Sequence, residues 1–145
     1  RSLILGAGLF GLAGGCASGP MASDQTAPTR ACVGITLLQS LDPSPSLLVR
    51  FIERNWLVMD RIAREQGLMT DYAVYWTESP NQEHGASWNV LVEVGYPDPR
   101  GYQAIAEQFE RIRTAHGVEL IEEMDRRSLG VVVRSLEMQI GARSP

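Results

Sequence analysis

The sequence predicts one small α+β domain in which four strands and two helices follow one another in the order βαββαβ. Short runs alternate apolar and polar residues, which is typical of strands, and two longer stretches carry apolar residues at helical spacing. Proline or glycine stands near the junctions between these segments. The 145 residues suit a single domain, and the predicted elements occupy residues 31–141.

The first strand and the first helix are predicted over residues 31–39 and 45–66. Ser44 suits the N-cap of the helix, Pro45 its first position, and Gly67 the position after its end. The strand alternates apolar residues, namely Val33, Ile35 and Leu37. The helix has one apolar stripe, made by Leu48, Ile52, Trp56, Met59 and Ala63.

The polar side of this helix predicts ion pairs in solvent. Asp60 and Arg64 are four residues apart, as are Arg61 and Glu65, a spacing at which opposite charges stabilise a helix. We therefore expect Asp60 to face water.

A hairpin follows, with strands predicted over residues 68–78 and 87–96. If the hairpin is centred near Gln82, Trp76 lies opposite Trp88 on the same face. The alternating apolar residues are Tyr72, Val74 and Trp76 in the second strand and Trp88, Val90, Val92, Val94 and Tyr96 in the third.

The second helix is predicted to begin with Asp98 as N-cap and Pro99 at the first position, and to end at Gly117. A short helical turn is predicted over residues 118–127, and the last strand is predicted over residues 129–140. The stripe of the second helix consists of Tyr102, Ile105, Phe109, Ile112 and His116.

This order, with right-handed crossovers, gives a four-stranded antiparallel sheet with both helices on one face, the ferredoxin-like arrangement. The other face would expose Ala73, Tyr75 and Leu91, and an exposed apolar face needs a cover. A second copy of the chain is the simplest cover. We therefore expect a homodimer.

Composition argues against several partners and mechanisms. The net charge is −4 and the charges are interspersed, so we expect no nucleic-acid partner and no polybasic membrane contact. All 13 basic residues are arginine, which excludes lysine Schiff-base chemistry and a phosphate-binding lysine. No cysteine and histidine cluster has metal-ligand spacing, so we predict no metal site and no resident cofactor.

Residues 1–15 have the pattern of a signal peptide. An apolar run follows Arg1, and it is shorter than the ~20 residues needed to span a bilayer. Gly6, Gly8 and Gly11 have the spacing of a dinucleotide-binding fingerprint, which requires a helix directly afterwards. Two further glycines and a proline follow instead, so we interpret this spacing as a coincidence.

The segment Leu12-Ala13-Gly14-Gly15-Cys16 resembles the bacterial lipobox, whose cysteine is lipidated after cleavage. The resemblance implies lipidation of Cys16 and attachment to a membrane through that lipid alone. The lipobox usually has leucine where this chain has Ala13, so ordinary cleavage just beyond Cys16 stays open. Residues 16–30 are small, polar and proline-containing, which is typical of a tether. We expect an exported protein at the cell envelope, facing the periplasm or the surface.

The order of elements, the strand at 87–96 and the helix start Asp98-Pro99-Arg100-Gly101-Tyr102 resemble the dimeric α/β-barrel superfamily. That superfamily includes small cofactor-free monooxygenases, haem-degrading monooxygenases and NIPSNAP-type proteins. The resemblance covers residues 31–141 and implies a homodimer that forms a barrel. Because one fold hosts many functions, it implies no single reaction.

Four residues are candidates for a pocket between the sheet and the helices. Tyr72, Trp76 and Trp88 are aromatic, as the walls of such pockets usually are, although a cross-strand tryptophan pair has the same pattern. The resemblance implies that His116, late in the second helix, is placed like the histidine that binds iron in the haem-degrading members of that superfamily. Ala106 stands near their tryptophan, however, and the first strand lacks their asparagine. A histidine in a last helical turn also stabilises the helix dipole.

Two hypotheses follow. The first is an envelope-tethered homodimer that binds a small apolar ligand or a partner. The second is a monooxygenase-like enzyme, cofactor-free or haem-dependent, that uses the same pocket. The missing asparagine and tryptophan favour binding over haem chemistry. A cavity of roughly 300 Å³ or more, reached by His116 and an aromatic wall, would keep the second hypothesis open, and a filled core would remove it.

Overall fold

The computed structural model describes residues 29–83 and 86–141. The predicted signal peptide, Cys16 and most of the predicted tether lie outside the described residues. The order of elements confirms the predicted βαββαβ order, with the first helix divided in two and a short helix before the last strand. The elements are β1 (Cys32–Ser40), α1 (Ser46–Arg54), α2 (Trp56–Glu65), β2 (Asp71–Glu83), β3 (Ala86–Tyr96), α3 (Tyr102–His116), α4 (Arg126–Leu129) and β4 (Gly130–Gln139).

The four strands form one antiparallel sheet in the order β2-β3-β1-β4. The helices cover one face of this sheet, which confirms the predicted ferredoxin-like fold. Within the described ranges, no helix is long and apolar enough to cross a membrane.

The core between sheet and helices consists of two clusters of buried residues. One joins α1 to the middle of the sheet, and the other joins α2 and α3 to one end of the sheet. Each fully buried leucine or isoleucine stabilises the fold by about 1.5–3 kcal/mol. The first cluster consists of Leu38, Leu48, Val49, Phe51, Ile52, Val90, Val92, Ile121 and Leu129. The second consists of Cys32, Met59, Ala63, Met69, Tyr96, Ile105 and Ile112.

Asn55 lies between α1 and α2, where the sequence predicted one continuous helix. Its side chain is buried, and its Nδ2 donates to the carbonyl oxygens of Phe51 and Glu119 at 3.0 and 2.9 Å. The backbone N–H of Glu119 donates to Asn55 Oδ1 at 2.7 Å. This residue therefore attaches the helix junction to the segment after α3. Asparagine side chains compete in this way with helical hydrogen bonding.

The second long helix begins at Tyr102, so the start predicted at Pro99 is wrong. The Asp98 carboxylate accepts a hydrogen bond from the backbone N–H of Arg100 at 2.8 Å and so closes a turn. Gly101 precedes the helix with φ of 59°, a conformation that favours glycine. The backbone N–H of Tyr102 donates to Glu137 of β4 at 2.9 Å, so a carboxylate from the sheet caps α3.

The hairpin register differs from the prediction. Trp76 is paired with Val90, and Trp88 is paired with Asn81, so the two tryptophans are not opposite each other. The reason is an irregularity in β2, where residues 77–80 correspond to the single residue Asn89 of β3. Inserted residues of this kind displace the register of a hairpin in a way that alternation alone does not reveal.

The helix-free face presents apolar side chains in rows across the strands. Tyr75, Leu91 and Leu37 form one row, which ends at Arg134. Ile35 lies between Glu93 and Leu136 in the next row. The side chain of Tyr75 is 54% exposed. The exposed apolar face that the sequence predicted is therefore present.

Candidate functional site

A cavity of about 310 Å³ lies between the helix-covered face of the sheet and helices α2 and α3. It exceeds the volume of roughly 300 Å³ at which small-molecule pockets begin. It is lined by Thr36, Trp56, Met59, Asp60, Met69, Val92, Val94, Tyr96, Tyr102, Phe109 and Arg113.

The floor of the cavity comes from the two central strands. Val92, Val94 and Tyr96 alternate along β3, so their side chains lie on one face. Gly34 of β1 faces Val94, and a Cβ atom at this position would lie 3.2 Å from the Tyr96 ring. The absence of a side chain at Gly34 thus leaves room for the phenol ring beside the cavity.

The walls come from α2 and α3. Trp56 and Asp60 are one helical turn apart on α2, so they lie on the same side of that helix. On α3, the rings of Tyr102 and Phe109 meet edge to face, with centroids 5.8 Å apart and an angle of 76°. Since Tyr102 and Arg113 are both exposed and both line the cavity, the cavity opens to solvent along α3.

Asp60 is the acidic group of this cavity, and it is only 5% exposed. Burial alone raises the pKa of its carboxyl group from 3.8 to about 7. Among the residues that the structure describes, no side chain or backbone N–H lowers this pKa by donating a hydrogen bond. At neutral pH this carboxyl group is therefore present in both its protonated and its ionised form.

The expectation that Asp60 faces water with Arg64 is wrong. Asp60 is four residues after Trp56 and three before Ala63, so it is within the apolar stripe of the helix and packs inward. That spacing is visible in the sequence, but the (i, i+4) spacing of Asp60 and Arg64 has nearly the same period and does not distinguish a solvent-facing from an inward-facing carboxylate.

Tyr96 is the second buried polar group at the cavity, at 5% exposed. Burial raises the pKa of its phenol first, and the negative charges of Asp60 and Glu137 raise it further. The phenol therefore stays neutral at physiological pH. It supplies an O–H group that can donate a hydrogen bond, next to a carboxyl group that can accept one.

A second cavity, of about 480 Å³, adjoins the first and extends toward β4. Gly34, Ser135 and Glu137 are among its own lining residues. The walls common to both cavities are Thr36, Val92, Val94, Tyr96 and Tyr102. The shared walls give a bound molecule room to extend from Asp60 toward the edge of the sheet.

The three aromatic residues that the sequence singled out do not line this cavity. Tyr72 is paired with Val94 and so stands one strand away from the cavity floor. Trp76 is 54% exposed on the edge strand β2. Trp88 is half-buried, and its indole Nε1 has no hydrogen-bond partner among the described residues.

His116 lines a separate groove of about 390 Å³ between the C-terminal ends of α2 and α3, together with Ile62 and Gln66. Its Nε2 atom is buried and has no partner in the described part of the chain. The structure therefore does not bring His116 together with Tyr72, Trp76 and Trp88. The haem-degrading enzymes named above have a tryptophan where α3 has Ala106, and an asparagine on the first strand, which β1 lacks. Both differences do not fit a haem site.

Cys32 is buried in the core beside α3. Burial raises the pKa of its thiol, and the charge of Glu137 raises it further, so the thiol stays protonated and inert. In residues 29–83 and 86–141, no group of three or more histidine, cysteine or acidic side chains is arranged to hold a metal ion.

The comparisons with known proteins support the fold. No family model matches the chain, and no curated protein matches it. A dimeric ferredoxin-like protein from an uncultured marine organism is similar in structure, with a TM-score of 0.50 and 8% sequence identity. The similarity covers 82% of this chain and 95% of that one. At this identity the likeness defines the class of fold, which is ferredoxin-like, and nothing about activity.

Proposed function

We propose that this domain binds a small, largely apolar molecule in the cavity between the sheet and helices α2 and α3. One observation carries the proposal: Asp60, a buried acidic group whose pKa is not lowered by a hydrogen bond from any described residue, lies inside a cavity with four aromatic side chains in its lining. Burying a carboxyl group in this way costs stability, and such a cost is typical of functional sites. The aromatic lining residues are Trp56, Tyr96, Tyr102 and Phe109.

We propose further that the protein is a homodimer that pairs through the helix-free face. Ile35, Leu37, Leu91 and Leu136 give this face the apolar character of a dimer interface. The structurally similar marine protein is described as dimeric. A second copy would cover this face and leave the 310 Å³ cavity, on the opposite side of the sheet, free.

For location, the proposal is an envelope protein held by a lipid on Cys16. The support is the lipobox-like sequence ending at Cys16 and the polar residues 17–30 that separate it from the domain. A lipid anchor would hold the dimer near a membrane, where apolar molecules concentrate.

The experiment that tests ligand binding is calorimetric titration of the full chain with small aromatic molecules, beginning with indole and 2-naphthol. Thr36→Leu adds apolar volume inside the cavity and should weaken binding at least tenfold. Thr114→Leu is the matched control, because Thr114 is exposed on α3 and does not line the cavity. Absence of binding, or equal binding by both variants, would contradict the proposal.

A second candidate function is an enzyme in the same cavity, similar to the small cofactor-free monooxygenases. Asp60 favours it, because a carboxyl group with a pKa of about 7 suits a general base at neutral pH. The step assigned to Asp60 is transfer of a proton from a bound phenol to the carboxylate. Turnover of a bound aromatic compound that is lost in Asp60→Asn, while binding persists, would favour the enzyme over the binding protein.

A further inference from the structure

We propose that the cavity selects organic cations, in which a protonated or quaternary nitrogen is attached to an apolar body, and that Asp60 and the surrounding aromatic side chains bind the charged nitrogen. This inference rests on the proposed function and names the chemical class of its ligand.

The first argument is the state of Asp60. It is 5% exposed, and among the described residues no hydrogen bond lowers its pKa. A buried carboxylate needs a positive partner, and among the described residues that line the cavity Arg113 is the one basic side chain. Arg113 donates two hydrogen bonds to Glu110 at 2.8 and 2.7 Å, and its side chain is 61% exposed, so its charge is already paired outside the cavity.

The second argument is the aromatic composition of the walls. The face of an aromatic ring attracts a cation, by about 0.5–1 kcal/mol at exposed sites and about 2 kcal/mol where water is excluded. Trp56 of α2 has the ring type with the strongest attraction, and Tyr102 and Phe109 of α3 line the other side. Aromatic walls combined with one carboxylate are the chemistry that recognises ammonium groups.

The charged groups around the cavity agree with a cationic ligand. Tyr96 of β3 is a neutral phenol at physiological pH, and Glu137 of β4 adds a second carboxylate in the adjoining cavity. Cys32 of β1 stays protonated. With the charge of Arg113 paired to Glu110, the ionised form of Asp60 would repel an anionic ligand.

The cation preference should depend on pH in a defined direction. A cation binds the ionised form of Asp60, and burial raises the pKa of that group to about 7. Affinity should therefore increase as pH rises from 5 to 8 and become constant above that range. Binding near pH 7 should also release a fraction of a proton, because the cation lowers the pKa of the carboxyl group.

The test is titration calorimetry of the full chain at pH 8 with two matched pairs of probes. Choline is compared with its neutral carbon analogue 3,3-dimethylbutan-1-ol, and 2-phenylethylamine, a cation at this pH, with 2-phenylethanol. Each cation should bind at least tenfold more tightly than its neutral partner. Asp60→Asn should remove that preference, while Glu107→Gln, which removes an exposed carboxylate outside the cavity lining, should keep it.

Three outcomes would overturn the inference. Equal or tighter binding of the neutral partners shows that charge is not recognised, and a preference that persists in Asp60→Asn shows that another group recognises it. Both results leave the proposed binding function standing, because neutral aromatic molecules would still occupy the cavity. Failure of all four probes and of the neutral aromatic panel overturns both proposals together.

Discussion

Replacing Asp60 with asparagine tests the central electrostatic feature of this domain. Burial raises the pKa of the Asp60 carboxyl group from 3.8 to about 7. Between these two values the folded protein holds a proton that the unfolded chain has lost. The unfolding free energy contributed by this group therefore falls as pH rises from about 4 to 7, and the loss is complete above that range.

The magnitude follows from the two pKa values. The two pKa values differ by about three units, and each unit corresponds to about 1.4 kcal/mol. Ionisation of Asp60 in the folded protein therefore lowers the unfolding free energy by roughly 4 kcal/mol relative to the protonated group. Asparagine has nearly the same shape and does not ionise. The stability of Asp60→Asn relative to the wild type should therefore increase by about that amount between pH 4 and pH 8.

Urea unfolding of the full chain and of Asp60→Asn at pH 4, 5, 6, 7 and 8 measures this difference, because all other titrating groups are shared. Gln103→Ala, an uncharged substitution at an exposed position of α3, serves as the control, and its difference from the wild type should stay nearly constant. A difference between Asp60→Asn and the wild type that is equal at pH 4 and pH 8 would refute the reasoning.

Three further predictions concern the rest of the molecule. Asn55→Ala should lower the unfolding free energy by about 2–4 kcal/mol in urea titrations, because three hydrogen bonds at a buried helix junction are lost; a loss below 1 kcal/mol would contradict this role. Leu91→Arg should convert a dimer to a monomer in sedimentation, because an unpaired charge in an interface costs about 3–5 kcal/mol, whereas Gln103→Arg on exposed α3 should not. Cys16→Ser should release the protein from membranes, and a wild-type protein that is wholly soluble and carries no lipid would refute the anchor.

The sequence was sufficient for the order of elements and the class of fold. Alternation in residues 87–96 and helical spacing from Tyr102 to His116 are local signals, since they arise from the geometry of single strands and helices. Gly67 and Gly117, with φ of 74° and 70°, are glycines at predicted helix ends, where the backbone conformation favours this residue.

Features that depend on distant residues could not be predicted in this way. Asn55 divides the first helix because its side chain binds Glu119, which is 64 residues away in sequence. The start of α3 depends on Glu137 of β4, and the separation of Trp76 from Trp88 depends on an irregularity in the hairpin. No local periodicity reports these contacts.

The candidate site also has some features that local sequence predicts and others that depend on distant residues. Local spacing placed Tyr102 and Phe109 on one stripe of the second helix, and both line the cavity. The sequence by itself also determined that no lysine of these 145 residues can take part in chemistry. Only the tertiary structure decided that Asp60 is buried and that His116 lies in a separate groove. The physical reason is that the pKa of a carboxyl group depends on the water removed around it, and α3 and the sheet, which are distant in sequence, remove the water around Asp60.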